Sequence, residues 1–142
     1  MLAEFGLAAL WLAAALAALQ IYAGLWGWRQ PQGAVAALAK PVAVMQAALV
    51  SAAFVSLILL FLRTDLSVKL VVANSHAAKP WLYKFAGTWG NHEGSMLLWV
   101  TVLAVAGALV ALLDYGFAVL DLNRVEADID PDNSGSCKTV QR

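Results

Sequence analysis

The sequence predicts an all-α integral membrane protein with three transmembrane helices, an extramembrane loop between the second and third, and a flexible acidic tail. Hydrophobic residues make up 62% of its 142 residues and charged residues 13%, and its mean hydropathy is +0.74. Ordinary soluble domains are roughly 45–50% apolar and 25% charged. Three uncharged runs, at residues 5–28, 41–62 and 95–113, each exceed the roughly 18 residues that mark a membrane-spanning helix. The runs take up 65 of the 142 residues, which leaves too little chain for a separate water-soluble core, so an isolated soluble enzyme is excluded.

The charge balance argues against a nucleic-acid partner. Nine Lys and Arg residues offset nine Asp and Glu residues, so the chain lacks the basic field that nucleic-acid-binding proteins present. The single cysteine, Cys137, cannot form an intrachain disulfide and does not indicate a redox compartment. The lipid bilayer is therefore the first partner that the composition predicts.

The first apolar run, from Phe5 to Trp28, is long enough to cross a hydrocarbon core of about 30 Å with some tilt. A cleaved signal peptide is the competing interpretation, because small residues in the run resemble a cleavage site. Two features oppose it: Glu4 precedes the run without any Lys or Arg, and the run exceeds the roughly 7–15 residues of a typical signal-peptide core. We therefore expect the first run to remain as a transmembrane helix.

The second and third runs have no ionisable residue in their interiors. The second lies between Lys40 and Arg63, and Asp114 closes the third. The strongly polar members of the second run are Gln46, Ser51 and Ser56. Transport pathways use ionisable residues inside the membrane, so a fragment of a transporter is disfavoured.

Basic residues near the spans bear on the orientation of the chain. The segment 63–94 carries four Lys and Arg residues, and residues 29–40 and the tail together carry five, which the positive-inside rule does not separate. The acidic N-terminus beside a short, purely basic first loop favours an outside N-terminus. This orientation places residues 63–94 outside and the tail inside.

Small side chains are frequent in the first and third helices, in the segments 13–18 and 104–108. Small residues let backbones approach closely in lipid, where packing drives helix association. The segments therefore predict faces that dock against other helices. Background composition is the alternative explanation and stays open.

The loop 63–94 has two segments with a pattern of their own. Residues 66–70 alternate apolar and polar side chains, which predicts a short extended or strand segment. Pro80 disfavours helical geometry at Lys79. The aromatic and basic segment that follows, residues 81–85, is typical of a membrane interface, with Lys84 reaching outward.

An ionisable pair, His92 and Glu93, lies where the third apolar run begins. Glu93 is favoured there by the helix dipole, and Asn91 or Thr88 can cap free N–H groups. The pair is therefore either an interfacial helix cap or part of a site. A zinc-protease site is excluded because position 96 is Met where the motif needs a second His, whereas haem ligation is chemically open to His92.

The loop and the start of the third run contain a series of residues in a fixed order: Asn74, Ser75, Pro80, Tyr83, Lys84, Trp89, Gly90, His92, Glu93, Gly94, Ser95, Leu97, Leu98 and Trp99. This series closely resembles the N-terminal region of the CcmF family and its NrfE-type, nitrite-reductase-associated relatives. The resemblance covers residues 1 to about 113. It divides the chain into a membrane region, 1–113, and a tail, 114–142, that does not match the family.

The resemblance implies a haem lyase subunit of cytochrome c-type biogenesis in a bacterial inner membrane, with the N-terminus and the loop 63–94 in the periplasm. Such a protein takes haem from a periplasmic haem chaperone and, with other cytochrome c maturation subunits, helps ligate it to apocytochrome c. Haem is the cofactor that the resemblance implies. Transferred position by position, it gives a candidate haem-handling surface of Trp89, His92, Glu93 and Trp99, with His92 as the candidate ligand of the iron.

The family is several times longer than this chain, and its tryptophan-rich motif and axial histidines lie beyond the matching region. We therefore expect a truncated chain without activity by itself, and no catalytic residue is assigned. The alternative is a non-enzymatic membrane assembly subunit that docks partner helices through alanine-rich faces and binds no haem.

The tail carries most of the acidic residues, and its composition predicts disorder. Residues 130–135 imitate the start of a calcium-binding loop. Lys138 at the ninth position and Gln141 at the twelfth do not fit such a loop, which argues against calcium binding.

Overall fold

The computed structural model describes residues 1–29 and 33–122. Across these residues the chain forms helices and no strand. The helices are α1 (Leu2–Arg29), α2 (Ala34–Ala37), α3 (Ala39–Arg63), α4 (Lys69–Asn74), α5 (Trp81–Gly87) and α6 (His92–Val119). By length and composition, α1, α3 together with α2, and α6 are able to cross a membrane. The all-α class and the three predicted spans are thus confirmed.

The central helix of the bundle is α3, which packs against α1 and against α6. Small side chains form much of this packing, as the buried residues Ala13, Ala47 and Ala108 illustrate. At Gly6 of α1, a β-carbon would lie 3.2 Å from the Cβ atom of Ser56. Part of each predicted small-residue segment is therefore buried between the helices of the bundle, whereas Ala14, Ala15 and Ala106 are exposed.

The helix α6 is longer than the apolar run that predicted it. It begins at His92 and continues past Asp114 to Val119. Asp114 ends the apolar stretch, but a charged residue near the interface does not break backbone hydrogen bonding, so a helix can extend beyond the bilayer. The expected disorder of the tail is therefore wrong for residues 114–119. The calcium-like segment and Cys137 lie outside the described residues.

The predicted strand at residues 66–70 is wrong, because this stretch forms turns and then the start of α4. Thr64 ends α3 in the left-handed region, with φ 53°. The Asp65 carboxylate then accepts hydrogen bonds from the Ser67 backbone N–H at 3.0 Å and from its hydroxyl at 2.6 Å. This local turn competes with extended structure, and no strand lies nearby in the described chain to pair with an extended segment.

The loop folds onto the ends of α1 and α3 around a small apolar cluster. Phe61 and Val71 are fully buried, and Leu60 is almost so. Leu2 of α1 and Val68 of the turn pack against them. Burial of apolar side chains thus fixes α4 to the bundle, and α5 packs against α3.

Candidate functional site

The site lies at the junction of α5 and α6, and two lysines stabilise the loop that leads into α5. Pro80 is the N-cap of α5, with φ −57° and ψ 147°, as expected for a residue that cannot donate a backbone hydrogen bond. The Lys79 ammonium group donates to the Asn74 carbonyl at 3.0 Å, and that of Lys84 donates to the Ala77 carbonyl at 3.2 Å. Lys84 thus stabilises the preceding turn, where the sequence predicted an outward side chain.

Three consecutive residues of α5 expose large side chains. Trp81, Leu82 and Tyr83 are 71%, 56% and 63% exposed. An apolar body with a polar ring atom suits the headgroup region of a membrane. The exposed aromatic side chains agree with the interfacial composition that the sequence indicated.

Asn91 joins α5 to α6 through both ends of its side-chain amide. Its Oδ1 atom accepts a hydrogen bond from the Gly94 backbone N–H at 2.7 Å and caps α6. Its Nδ2 atom donates to the Gly87 carbonyl at 2.9 Å and to the Thr88 carbonyl at 3.3 Å. Of the two capping residues that the sequence offered, Asn91 is confirmed. Thr88 is instead fully buried beneath the junction.

The first turn of α6 carries the two ionisable candidates. His92 and Glu93 are both exposed, and Glu93 lies in the first turn, where the helix dipole favours a negative charge. Consecutive residues on a helix diverge by about 100°. The two side chains therefore belong to different faces of α6.

His92 shares its face of α6 with Trp99. The two positions are seven residues apart, which places them on one side of the helix about 10 Å apart along its axis. Met96 lies between them at helical spacing and is 53% exposed, and Trp99 is 64% exposed. This surface of His92, Met96 and Trp99, which we call the outer face, combines an imidazole, a thioether and an indole. The motif residues did not include Met96, although its i+4 spacing from His92 indicates that the two share a face of a helix.

The other two candidates lie elsewhere. Glu93 and Leu97 line a groove between α1 and α6 that reaches Ser67 and Leu7. Trp89 packs edge-on against Phe85, with ring centroids 4.8 Å apart and an interplanar angle of 87°. Of the four predicted haem-handling residues, His92 and Trp99 therefore share a face of α6 that Glu93 does not share, and Trp89 lies before α6, against Phe85.

A protein-derived metal centre is not assembled in the described part of the chain, where no group of three or more His, Cys, Asp or Glu residues comes together. His76, the other histidine, is exposed in the loop between α4 and α5. The chemistry that remains for His92 is that of a single imidazole, which can provide one axial ligand to a haem iron.

The fold and the junction define a multi-pass α-helical membrane protein with a folded loop above its third span. Comparison with known proteins shows which such proteins it is similar to. CycK of Bradyrhizobium diazoefficiens is 50% identical over 111 residues, covering 78% of this chain and 17% of the relative. The ccl1 protein of Rhodobacter capsulatus is 47% identical over the same length, with the same coverage of both chains. CcmF of Pseudomonas aeruginosa is 46% identical over 104 residues, or 72% of this chain and 16% of the relative.

All three relatives are named cytochrome c-type biogenesis proteins. The matches confirm the resemblance drawn from the motifs: the chain corresponds to a CcmF-type N-terminal segment. It spans about a sixth of the length of these relatives. No protein-family model and no solved structure matches the chain.

Proposed function

We propose that this chain acts in cytochrome c-type biogenesis, as part of a bacterial inner-membrane haem lyase that receives haem from a periplasmic chaperone and helps ligate it to apocytochrome c. The observation that carries the proposal is the 50% identity to CycK over 111 residues. Identity at this level over 78% of the chain indicates a shared role for this segment. The other maturation subunits and apocytochrome c are then its proposed partners.

A chimera tests this role. The segment of CycK that aligns with this chain is replaced by the residues of this chain, and the chimera is expressed in a strain lacking CycK. We expect covalent haem staining of c-type cytochromes to return, whereas CycK without the segment and this chain alone restore none. A chimera that accumulates in the membrane without restoring staining contradicts the proposal.

Within this role, we propose that the outer face of α6 contacts haem as a substrate. The side chains fit haem chemically: a neutral imidazole such as that of His92 ligates iron, and the apolar side chains of Met96 and Trp99 offer packing to a porphyrin. Their exposure leaves this face free to receive a large planar molecule. Trp89 and Glu93 then lie beside the haem-contacting face: Trp89 packs at the junction of α5 and α6, and Glu93 lines the groove between α1 and α6.

The two histidines supply a matched pair of variants for this step. Haemin is titrated into the purified chain in detergent, and the Soret band is recorded before and after reduction. We expect His92→Ala to abolish the band, Trp99→Ala to weaken binding, and His76→Ala to leave it unchanged. A band that survives in His92→Ala, or no band in the wild type, contradicts haem contact and favours the assembly subunit without haem.

The proposed orientation places the N-terminus and the loop 63–94 in the periplasm. The basic residues Arg29, at the end of α1, and Lys40, at the start of α3, support this topology. Alkaline phosphatase fused after Ala78 is expected to be active, and a fusion after Gly33 inactive. The reverse pattern contradicts the topology.

A further inference from the structure

A groove runs along the membrane-spanning part of the bundle between α1 and α6, with α3 as its floor. Near the loop it forms a cavity of about 450 Å³ lined by residues such as Leu10, Leu57 and Leu97. Deeper in the bundle it forms a second cavity of about 250 Å³, whose lining includes Gln20, Gln46 and Gly107. The same three helices line both cavities.

The two cavities follow one another along common helix faces. On α6 the lining positions are 93, 97, 100, 103, 104 and 107, and on α3 they include 43, 46, 53, 57 and 60. Steps of three, four and seven residues keep side chains on one face of a helix. At 1.5 Å per residue the α6 positions cover about 21 Å, or most of a hydrocarbon core of about 30 Å.

Two side-chain amides distinguish this groove from a surface that contacts only lipid. Gln20 and Gln46 are partly buried in the deeper cavity, about two turns inside Lys40 in the case of Gln46. Within residues 1–29 and 33–122, neither side chain has a hydrogen-bond partner. Polar groups at this depth require partners, because hydrocarbon supplies none. An acyl chain in the groove leaves both amides unpaired.

The space beside the amides admits a helix. A β-carbon at Gly107 meets no atom within 4 Å, so another backbone can approach closely there. Glu93 places a carboxylate at the loop end of the groove, which favours a cationic group on the occupant.

We propose that the groove binds a transmembrane helix of a partner subunit that carries a hydrogen-bonding side chain at the depth of Gln20 and Gln46. A basic residue at the end of that helix meets Glu93. The chain is then a docking platform in the membrane, with a surface separate from the outer face that carries His92. This inference does not depend on the proposed role in cytochrome c-type biogenesis.

Designed peptides test the groove. The full chain, labelled at its single cysteine, Cys137, is placed in phosphatidylcholine nanodiscs. Energy transfer is measured to a leucine-rich transmembrane peptide with Lys at both ends and one central Gln, or with Leu in place of that Gln. We expect the Gln peptide to bind at least about threefold more tightly, the effect of one interhelical hydrogen bond. The Leu variants Gln20→Leu and Gln46→Leu should each reduce this preference, and Glu93→Gln should weaken binding of both peptides.

Two small-to-large variants on α6 locate the contact. Gly107→Leu fills the groove and should abolish binding, whereas Ala106→Leu, on an exposed face, should not change it. Circular dichroism confirms that each variant keeps its helices. Equal binding of the two peptides, or equal effects of the two α6 variants, overturns the proposal. Labelled copies of the chain are also mixed without peptide. If they show energy transfer to one another that Gln20→Leu or Gln46→Leu abolishes, a second copy occupies the groove, and the proposal is overturned.

Discussion

The carbonyl group of Thr88 lies directly against the α-carbon of Gly94. A β-carbon at position 94 would overlap the Thr88 carbonyl oxygen and crowd the Oδ1 atom of Asn91. Both residues are buried, so neither backbone has free space into which it can shift. The approach of α5 to α6, and with it the position of the first turn of α6, therefore depends on the absence of a side chain at Gly94.

Replacing Gly94 with Ala is expected to destabilise the fold by about 1–3 kcal/mol, the usual cost of overpacking. The measurement is the free energy of unfolding in mixed micelles. Gly24→Ala is the matched control, because a β-carbon there meets no atom within 4 Å and alanine is the better helix former by up to about 1 kcal/mol. Equal stability of the two variants would show that the overlap is relieved without cost.

Asn91→Ala is expected to cost about 1–3 kcal/mol, because it removes both a helix cap and the hydrogen bonds to α5. The bonds lost run from the Gly94 N–H to Oδ1 and from Nδ2 to the Gly87 carbonyl. Amide hydrogen exchange at Gly94 should accelerate in parallel with the loss of unfolding free energy.

Asn91→Asp separates these two contributions. An aspartate keeps the acceptor for the Gly94 N–H and adds a favourable charge at the helix N-terminus, but it has no donor for the Gly87 carbonyl. We expect a smaller loss of stability than in the alanine variant, with Gly94 exchange still protected. If the two variants lose equal stability and protection, the cap makes no separate contribution.

Sequence patterns predicted the features of this fold that depend on neighbours along the chain. The spans follow from local hydropathy, and the Asn91 cap follows from residue type just before an apolar run. The prediction of a strand at residues 66–70 was wrong, because an extended segment needs another strand to pair with. The Asp65 carboxylate and Ser67 form a turn there instead. A two-residue period is weak evidence when a turn-forming pair stands at its start.

Features that depend on packing between helices were beyond the sequence. The resemblance grouped Trp89, His92, Glu93 and Trp99, but helix geometry divides them, since only His92 and Trp99 share a face of α6. The groove with Gln20 and Gln46 required the relative placement of three helices. Gly94 is a residue of the motif, but its contact with the Thr88 carbonyl depends on how closely the end of α5 approaches α6.

The pKa of Asp65 is lowered from its ordinary value of 3.8, first by the hydrogen bond from the Ser67 hydroxyl and then by that from the Ser67 backbone N–H. A carboxyl group whose pKa is depressed in the folded state stabilises the fold above its unfolded pKa, and this contribution is lost as the pH falls through the folded value. The turn is therefore expected to weaken below about pH 3.8, not between pH 5 and 8. NMR titration of the Asp65 carboxyl carbon in micelles measures the shift.

Ser67→Ala tests the order of these two causes. The variant removes the hydroxyl donor and keeps the backbone N–H, so the pKa of Asp65 should rise toward 3.8 without reaching it. Ser95→Ala is a control, because the Ser95 hydroxyl donates to the His92 carbonyl and not to a carboxylate. An unchanged Asp65 pKa in Ser67→Ala would assign the depression to the backbone bond or to more distant charges.

Lys40 and Asp114 form an ion pair of 3.3 Å between the start of α3 and the later turns of α6, with side chains 54% and 60% exposed. Exposed pairs contribute little, so we expect a coupling free energy of about 0.2–1 kcal/mol that falls as salt is added. A double-mutant cycle with Lys40→Gln and Asp114→Asn measures it by unfolding in micelles at low and high ionic strength. A coupling well above 1 kcal/mol, or one that salt does not reduce, would mean that the pair is shielded from water at the membrane interface and fastens α6 to α3.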